Sequence, residues 1–343
     1  MWTLVISITT GLVFTVLTGV LVLFYFLPHK LIRLSFLIRQ YHAGMKINYV
    51  GDEEMIFCYG ERNRPQANKP SIVFVHGFSS SKDQWISCFK GLPQDLHMIA
   101  LDLPGHGFSS FPPEDVQLGI EYVVHTLNKF LKLVGLFDHK IHLVGSSLGG
   151  AIVGLYATKH PERVAKVTMI CPAMQTPVDS DFAVKLKEAL AEGHEKLSFN
   201  DSVLLANNIE GLKNLLECSC YNKSALKISD QFFKGFLTLR LPKMEFYLRL
   251  FKAITTEENF DLLANIAHEI VVPSQLIWGK QDELIHVSGA DVLSARLPNC
   301  YYVDIIDNCG HAVDLDRPGI LNKHLLKFIR EDCCKEINTK KSD

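Results

Sequence analysis

The chain has 343 residues, of which 48% are hydrophobic and 21% charged, and its formal net charge is −2. This composition is ample for one large core, and the absence of any block of like charges argues against nucleic acid as a partner and favours a small uncharged substrate. The nine cysteines are odd in number and scattered, which indicates free thiols in a reducing compartment and no structural metal site.

The N-terminus predicts a transmembrane anchor. Residues 4–27 carry no charge, and a helix of that length spans about 36 Å, enough to cross a hydrocarbon core of about 30 Å. A cleaved secretory signal is the alternative, but no basic residue precedes the run and no small-residue cleavage site stands before Pro28. The basic residues Lys30, Arg33 and Arg39 follow the span, so the part of the chain after the span is expected in the cytosol.

Two features refine the expected membrane contact. Apolar and basic residues alternate just after Pro28, which predicts an amphipathic helix that lies in the headgroup region of the bilayer. Within the span, small side chains recur every four residues on one helix face: Ser7, Gly11, Thr15 and Gly19. Such a stripe allows a second helix to approach closely, although small residues are frequent in membrane helices generally. The expected partners are therefore the lipid bilayer and, more weakly, another helix.

Beyond Gly44 short strands alternate with helices. Two weaker strand candidates come first, around residues 46–50 and 55–59. Six stronger β-rich runs follow at residues 71–75, 97–101, 141–144, 167–170, 274–277 and 301–306. Because parallel strands need helical crossovers, the pattern predicts an α/β fold with a mostly parallel sheet covered by helices on both faces.

Helical periodicity replaces this alternation in the third quarter of the chain, which predicts an inserted cap. Its second half is unusually apolar for a surface insertion, so part of it is expected to line a pocket or face the membrane. The patterns together predict a transmembrane anchor, an amphipathic juxtamembrane helix, a core in two pieces, a helical cap and a polar tail. These segments cover, in that order, residues 1–29, 30–45, 46–175 with 264–332, 176–263 and 333–343.

A candidate nucleophile follows the strand at residues 141–144. Ser147 is the central residue of the pattern Gly145-x-Ser-x-Gly149, and a helical run comes directly after it. Glycines at these two positions permit the crowded turn that exposes a strained serine above the sheet. Ser146 is the neighbouring alternative, but it falls outside the central position of the motif.

Serine needs a base, and the base needs a carboxylate that fixes its tautomer. Asp282 lies in the loop after the strand at 274–277, and His311 lies in the loop after the strand at 301–306. Because parallel strands end at one edge of a sheet, both loops are expected to open beside Ser147. The predicted catalytic residues are therefore Ser147, Asp282 and His311. Weaker candidates for the acid are Asp179, Asp181 and Glu283.

The oxyanion of an acyl-transfer reaction needs backbone donors. The motif itself assigns one of them to the N–H of Leu148, the residue after the nucleophile, and the other is expected at Phe78. His76 and His106 stand in turn-rich loops nearby. Both histidines are interpreted as bracing these loops rather than reacting.

Five motifs are similar to signatures of the α/β-hydrolase family, at residues 74–78, 102–107, 144–150, 277–282 and 308–311. The match extends over residues 47–329 and, with the N-terminal span, resembles the membrane-bound monoacylglycerol lipases of that family. This resemblance implies cofactor-free hydrolysis of monoacylglycerols such as 2-arachidonoylglycerol, and of lysophospholipids. It also implies late endosomal, lysosomal or mitochondrial membranes. Leu148 departs from that group, in which Met is frequent, but the donor is a backbone N–H.

Other functions remain open at this stage, because a fold does not fix a reaction. A general carboxylesterase would use the same residues. Epoxide hydrolases and dehalogenases use a carboxylate nucleophile, whereas Ser147 occupies that position here. A non-catalytic membrane adaptor that binds lipids or proteins is the alternative from a different class. Two formal glycosylation sequons, at Asn200 and Asn222, are expected to be unused in a cytosolic domain.

Overall fold

The computed structural model describes residues 2–332, so the predicted polar tail at 333–343 lies outside the described part. One sheet contains eight strands in the order β1-β2-β4-β3-β5-β6-β7-β8. Their bounds are β1 Lys46–Gly51, β2 Ile56–Arg62, β3 Ser71–Val75, β4 Met98–Leu101, β5 Ile141–Ser146, β6 Val164–Ile170, β7 Ser274–Gly279 and β8 Cys300–Ile306. Strand β2 pairs antiparallel with β1 and with β4, and every other pair is parallel.

Helices precede the sheet, alternate with its strands and flank it. Their bounds are α1 Trp2–Phe26, α2 Pro28–His42, α3 Ile86–Gly91, α4 Ile120–Leu133, α5 Leu148–Lys159, α6 Asp181–Ala191, α7 Ile209–Ser219, α8 Asp230–Arg240, α9 Met244–Ile254, α10 Glu257–Phe260, α11 Leu262–Ile266, α12 Gly289–Arg296, α13 Val313–Asp316 and α14 Pro318–Arg330. The predicted α/β fold is confirmed. Strand β5 runs two residues beyond its predicted end because it leads straight into the turn at Ser147.

The N-terminal helix α1 is a candidate membrane span. Residues Ile8–Phe26 form 19 consecutive helical residues that are apolar enough to cross a bilayer, and none of them is buried in the protein. Gly11 and Gly19 have no atom within 4 Å of the position that a side chain would take. The face with small residues is therefore open, and helix association through it stays a prediction. The Thr15 hydroxyl donates a hydrogen bond to the Gly11 carbonyl oxygen at 2.9 Å.

Helix α2 follows at once and packs against the body of the protein along one side. Ile32 and Gln40 are buried, and the Gln40 amide donates to the Asp83 carboxylate at 2.6 Å. The opposite side is exposed and largely apolar, with Leu34, Leu37, Ile38 and Tyr41 facing outward. An apolar face without protein cover, directly after a candidate span, is typical of a helix that lies on a membrane.

Helices α6 to α11 occupy the chain between β6 and β7, and no strand interrupts them in the described residues. Helix α9 turns an apolar face toward the sheet and buries five residues there: Met244, Phe246, Tyr247, Leu250 and Phe251. Helix α8 instead packs on α2. The approach is close, because a side-chain carbon at Gly235 would lie 2.8 Å from the Pro28 carbonyl carbon. These helices therefore connect the N-terminal region with the top of the sheet.

A buried ion pair fixes the loop that follows β4. The Lys82 ammonium lies 2.9 Å from the Asp102 carboxylate, and both side chains are almost fully buried. Asp102 also accepts from the backbone N–H groups of Lys82 and Phe108 at 2.6 and 2.9 Å. Burial disfavours the charged amine, but the Asp102 carboxylate outweighs it and raises the pKa of Lys82. The 102–108 loop is thereby held against the turn that contains Lys82.

Candidate active site

Ser147 stands in a strained turn between β5 and α5. Its backbone angles are φ 56° and ψ −122°, in a region that residues with a side chain rarely adopt. A side-chain carbon at Gly145 would lie 2.1 Å from the Gly149 carbonyl oxygen, and one at Gly149 would lie 2.2 Å from the Val75 carbonyl oxygen. Only glycine fits at both positions, which explains why the motif needs them.

The structure brings His311 and Asp282 into direct contact. The His311 Nδ1 lies 2.7 Å from Asp282 Oδ2, although the two residues are 29 positions apart in the chain. Asp282 Oδ1 accepts from the backbone N–H groups of Leu284 and Ile285, both at 2.9 Å. Because Oδ1 is occupied by these donors, the carboxylate has a fixed orientation and Oδ2 faces the imidazole.

Charge around His311 suits a general base. Burial alone would lower the pKa of this imidazole, but the charge and hydrogen bond of Asp282 outweigh burial and raise it above the usual 6.5. The neutral imidazole is the form that accepts a proton. Activity that depends on His311 should therefore rise with pH through this raised pKa.

The turn after β6 links Ser147 to this pair. The Ala173 N–H donates to the Ser147 carbonyl at 2.9 Å, and the Cys171 Sγ, the Asp282 carboxylate and a His311 ring nitrogen all lie within 4.8 Å of one another. Three such groups could hold a metal ion, but the hydrogen bond between His311 and Asp282 already accounts for their proximity.

Within residues 2–332, the Ser147 hydroxyl and His311 Nε2 make no hydrogen bond to a protein atom. Both atoms therefore remain available to a substrate.

Two backbone N–H groups near Ser147 are also free. In the described residues, the N–H groups of Phe78 and Leu148 donate to no protein acceptor. The loop that carries Phe78 touches the serine, since a side-chain carbon at Gly77 would lie 3.1 Å from Ser147 Cβ. The Phe78 ring packs on Tyr247, with ring centres 5.7 Å apart, so α9 holds this loop from above.

The other candidates lie elsewhere or have other partners. Asp179 pairs with Lys187 at 2.7 Å and Glu283 with Lys223 at 3.5 Å, while Asp181 begins α6. His76 Nε2 accepts from the Leu103 N–H at 3.0 Å, and His106 Nε2 accepts from the Ser79 N–H at 3.1 Å. Both histidines therefore connect loop backbones.

Reasoning from sequence did not identify three residues beside this site: Cys171, Gln84 and Asp314. Cys171 could have been found, because it directly follows a parallel strand that lies between those preceding Ser147 and Asp282. Asp314 stands three positions after His311 at the start of a short helix. Gln84 lies in a 3₁₀ turn, Lys82–Trp85, for which the sequence carries no distinctive pattern.

Comparison with known proteins agrees with this architecture. Residues 70–318 match the family described as the alpha/beta hydrolase fold. Human monoacylglycerol lipase ABHD6 is 36% identical over 304 residues, covering 88% of this chain and 87% of its own. Monoacylglycerol lipase abhd6-B of Xenopus laevis is also 36% identical, with the same two coverages. The crystal structure of a membrane phospholipase A, a bacterial virulence factor, superposes with a TM-score of 0.78 at 25% identity, covering 95% of this chain and 99% of its own.

These matches define the class of protein. The chain belongs to the α/β-hydrolase family, and it is an enzyme of the ester hydrolase type. Its predicted resemblance to monoacylglycerol lipases is confirmed over seven-eighths of its length.

Proposed function

We propose that the protein is a membrane-bound serine hydrolase that cleaves monoacylglycerols, including 2-arachidonoylglycerol, to fatty acid and glycerol. Ser147 is the nucleophile, His311 the base and Asp282 the acid, with Leu148 and Phe78 as oxyanion donors. The observation that carries this proposal is the 2.7 Å bond between His311 Nδ1 and Asp282 Oδ2. It leaves Nε2 as the basic nitrogen that can take the proton of Ser147.

The reaction is a two-step acyl transfer. The Ser147 hydroxyl attacks the ester carbonyl while His311 takes its proton, and the carbonyl oxygen becomes an oxyanion that the N–H groups of Leu148 and Phe78 stabilise. His311 then returns the proton to the departing glycerol. Water, deprotonated by His311, releases the fatty acid and restores the serine. No step requires a cofactor.

The surroundings of Leu148 are apolar, as an acyl chain requires. A narrow crevice lies beside it, lined by Leu103, by Val123 of α4 and by Phe246 and Leu250 of α9. These side chains close the crevice in the present structure, so we propose that those of α9 move aside when a single alkyl chain enters, and the hydrophobic effect favours its burial there. Lysophospholipids also carry one acyl chain, so we propose them as a second substrate class.

We propose that α1 spans the membrane and that α2 lies along its cytosolic surface. Residues 176–263 then form a cap that contacts this membrane unit through α8. Aromatic pairs support the contact, since Phe232 meets Phe24 with ring centres 6.3 Å apart and Phe236 meets Phe36 at 6.2 Å. We propose that substrate passes from the bilayer to the crevice along the contact between α8 and the membrane helices α1 and α2. The resemblance to monoacylglycerol lipases supports late endosomal, lysosomal or mitochondrial membranes as the site of action.

The substrate assignment predicts a preference between lipids in one membrane. Full-length protein in phosphatidylcholine vesicles should release fatty acid from a 2-monoacylglycerol faster than from the diacylglycerol with the same chains, by about tenfold or more, because the closed crevice beside Leu148 has no space for a second chain. Fatty acid release is measured directly. Turnover of a soluble butyrate ester, whose acyl chain is too short to need the crevice, is the control that the enzyme is active. Equal rates for both lipids would contradict the proposal.

The topology predicts the state of two exposed sequons. Asn200 and Asn222 are both accessible on the cap, so a lumenal domain would be glycosylated in mammalian cells. We expect no mass shift after N-glycosidase treatment. As a control, residues 30–343 behind a cleavable secretory signal carry the same sequons into the lumen, and there the shift should appear. A shift in the natural chain would place the domain on the other side of the membrane.

A further inference from the structure

One amide side chain connects two loops of the candidate active site. Gln84 Oε1 accepts from the Gly77 N–H at 3.3 Å, directly before the proposed oxyanion donor Phe78. Gln84 Nε2 donates to Asp314 Oδ1 at 3.1 Å, across 230 positions of sequence. The orientation of the amide follows from its partners. A backbone N–H can only donate, so the amide oxygen must face Gly77 and the NH₂ group must face Asp314.

Asp314 lies close to the catalytic imidazole. It is the second residue of α13, which begins two positions after His311, and the Val313 N–H donates to the His311 carbonyl at 3.0 Å. Burial raises the pKa of Asp314 to about 6, while the Gln84 amide and His311 act against this rise. Asp314 in turn contributes to the raised pKa of His311, after the larger effect of Asp282. Two carboxyl groups therefore interact with one imidazole.

The other titratable groups that interact with Asp314 or His311 carry no positive charge. They are the Asp316 carboxylate, which lies in the same helix as Asp314, and four thiols from neighbouring segments: Cys88, Cys171, Cys220 and Cys309. Burial raises the pKa of each of these thiols, so they are neutral at physiological pH.

We propose that Gln84 and Asp314 are positioning residues that hold the Phe78 loop at a fixed distance from His311, and that the Asp314 charge stabilises the imidazolium formed during acyl transfer. This inference rests on the proposed function. It adds a second carboxylate, Asp314, to the groups that interact with His311. It also connects the loop of the oxyanion donor Phe78 to the loop of His311, which are far apart in the sequence. Because catalysis needs both groups in register, a shift of one relative to the other costs rate.

The two roles can be separated by substitution. In Asp314→Asn, the side-chain oxygen still accepts from Gln84 but the charge is lost. The acid limb of kcat/KM should then move to lower pH, because His311 loses one of the charges that raise its pKa. On the alkaline plateau kcat should fall by about threefold or less, because the imidazolium of the transition state loses the same charge. In Gln84→Met, shape is kept but both hydrogen bonds are lost. Plateau kcat should then fall by about three- to tenfold, because the two hydrogen bonds that join the Phe78 loop to Asp314 are lost together.

Both variants are assayed as full-length protein in detergent with a soluble butyrate ester, over the full pH range. The matched control is Asp307→Asn, which removes a 70% exposed carboxylate paired with Lys280 four positions before His311. Solvent screens that charge, so its pH profile should match the wild type. Superimposable acid limbs for wild type and Asp314→Asn, or an unchanged plateau in Gln84→Met, would overturn the inference. A failure of the proposed function shows separately, as a wild type that neither turns over esters nor reacts with a fluorophosphonate at Ser147.

Discussion

Replacement of Ser147 by Ala is expected to lower kcat for a soluble ester by about 10⁶-fold, the loss typical when the nucleophile of a serine hydrolase is removed. The neighbouring hydroxyl of Ser146 cannot substitute for it, because that residue is buried. Some rate above that in water should survive, since the N–H groups of Leu148 and Phe78 can still stabilise an oxyanion formed by attack of water.

Covalent labelling provides the direct measurement. A fluorophosphonate reacts when the serine oxygen attacks phosphorus and fluoride leaves, so the wild type should gain one phosphonyl group on the peptide that contains Ser147. Ser146→Ala is the matched control, because its hydroxyl is only one position away but its residue is 4% exposed. That variant should keep both labelling and turnover. Labelling that persists in Ser147→Ala would assign the nucleophile to another residue.

The sheet was predictable because its local signals agree with its tertiary environment. Strands β3, β5 and β7 are buried along their whole length, so they appear in the sequence as short apolar runs bounded by turns. Strand β6 was predicted three residues short at its start. That start contains Lys166, a charged residue that a pattern of apolar residues does not include, although it is buried in the structure.

The candidate site was predictable where backbone sterics impose a motif. Gly145 and Gly149 are required by the turn around Ser147, and Asp282 and His311 follow strands that end at the same edge. The contact between His311 and Asp282 depends in addition on Gly279, where a side-chain carbon would lie 2.0 Å from the Gly310 carbonyl oxygen. Such an approach between distant loops leaves no local periodicity in the sequence.

Neighbours that act through side-chain contacts across the fold could not be predicted. Gln84 meets Asp314 only because the turn after the Phe78 loop packs beside α13, and neither residue stands in a recognisable pattern. The contact between α2 and α8 could not be predicted either. The sequence predicts an amphipathic helix after Pro28 and a helical cap. Their contact depends on Gly235, and sequence alone marks this glycine only as a residue that weakens a helix.

Replacement of Asp282 by Asn should lower kcat by about 10⁴-fold while the fold is preserved. The asparagine oxygen can still accept from the Leu284 and Ile285 N–H groups, which bind Oδ1 of the aspartate at 2.9 Å. This places the new NH₂ group where Oδ2 meets His311 Nδ1. Because an NH₂ group only donates, Nδ1 must become the acceptor and the imidazole proton moves to Nε2. The nitrogen that should take the Ser147 proton is then already protonated.

The effect of this substitution is measured as kcat for the soluble ester, with thermal unfolding as the check on the fold. Glu283→Gln is the matched control, since it neutralises the adjacent carboxylate, which is 55% exposed and paired with Lys223 at 3.5 Å. It should retain turnover because an exposed pair of this kind contributes little.

Loss of the negative charge in Asp282→Asn also removes the main influence that raises the pKa of His311. A shift in protonation alone would be corrected at high pH, whereas a wrong tautomer is not, so kcat should stay low on the alkaline plateau. Recovery of wild-type kcat at high pH would show that Asp282 acts on His311 through charge and does not set its tautomer.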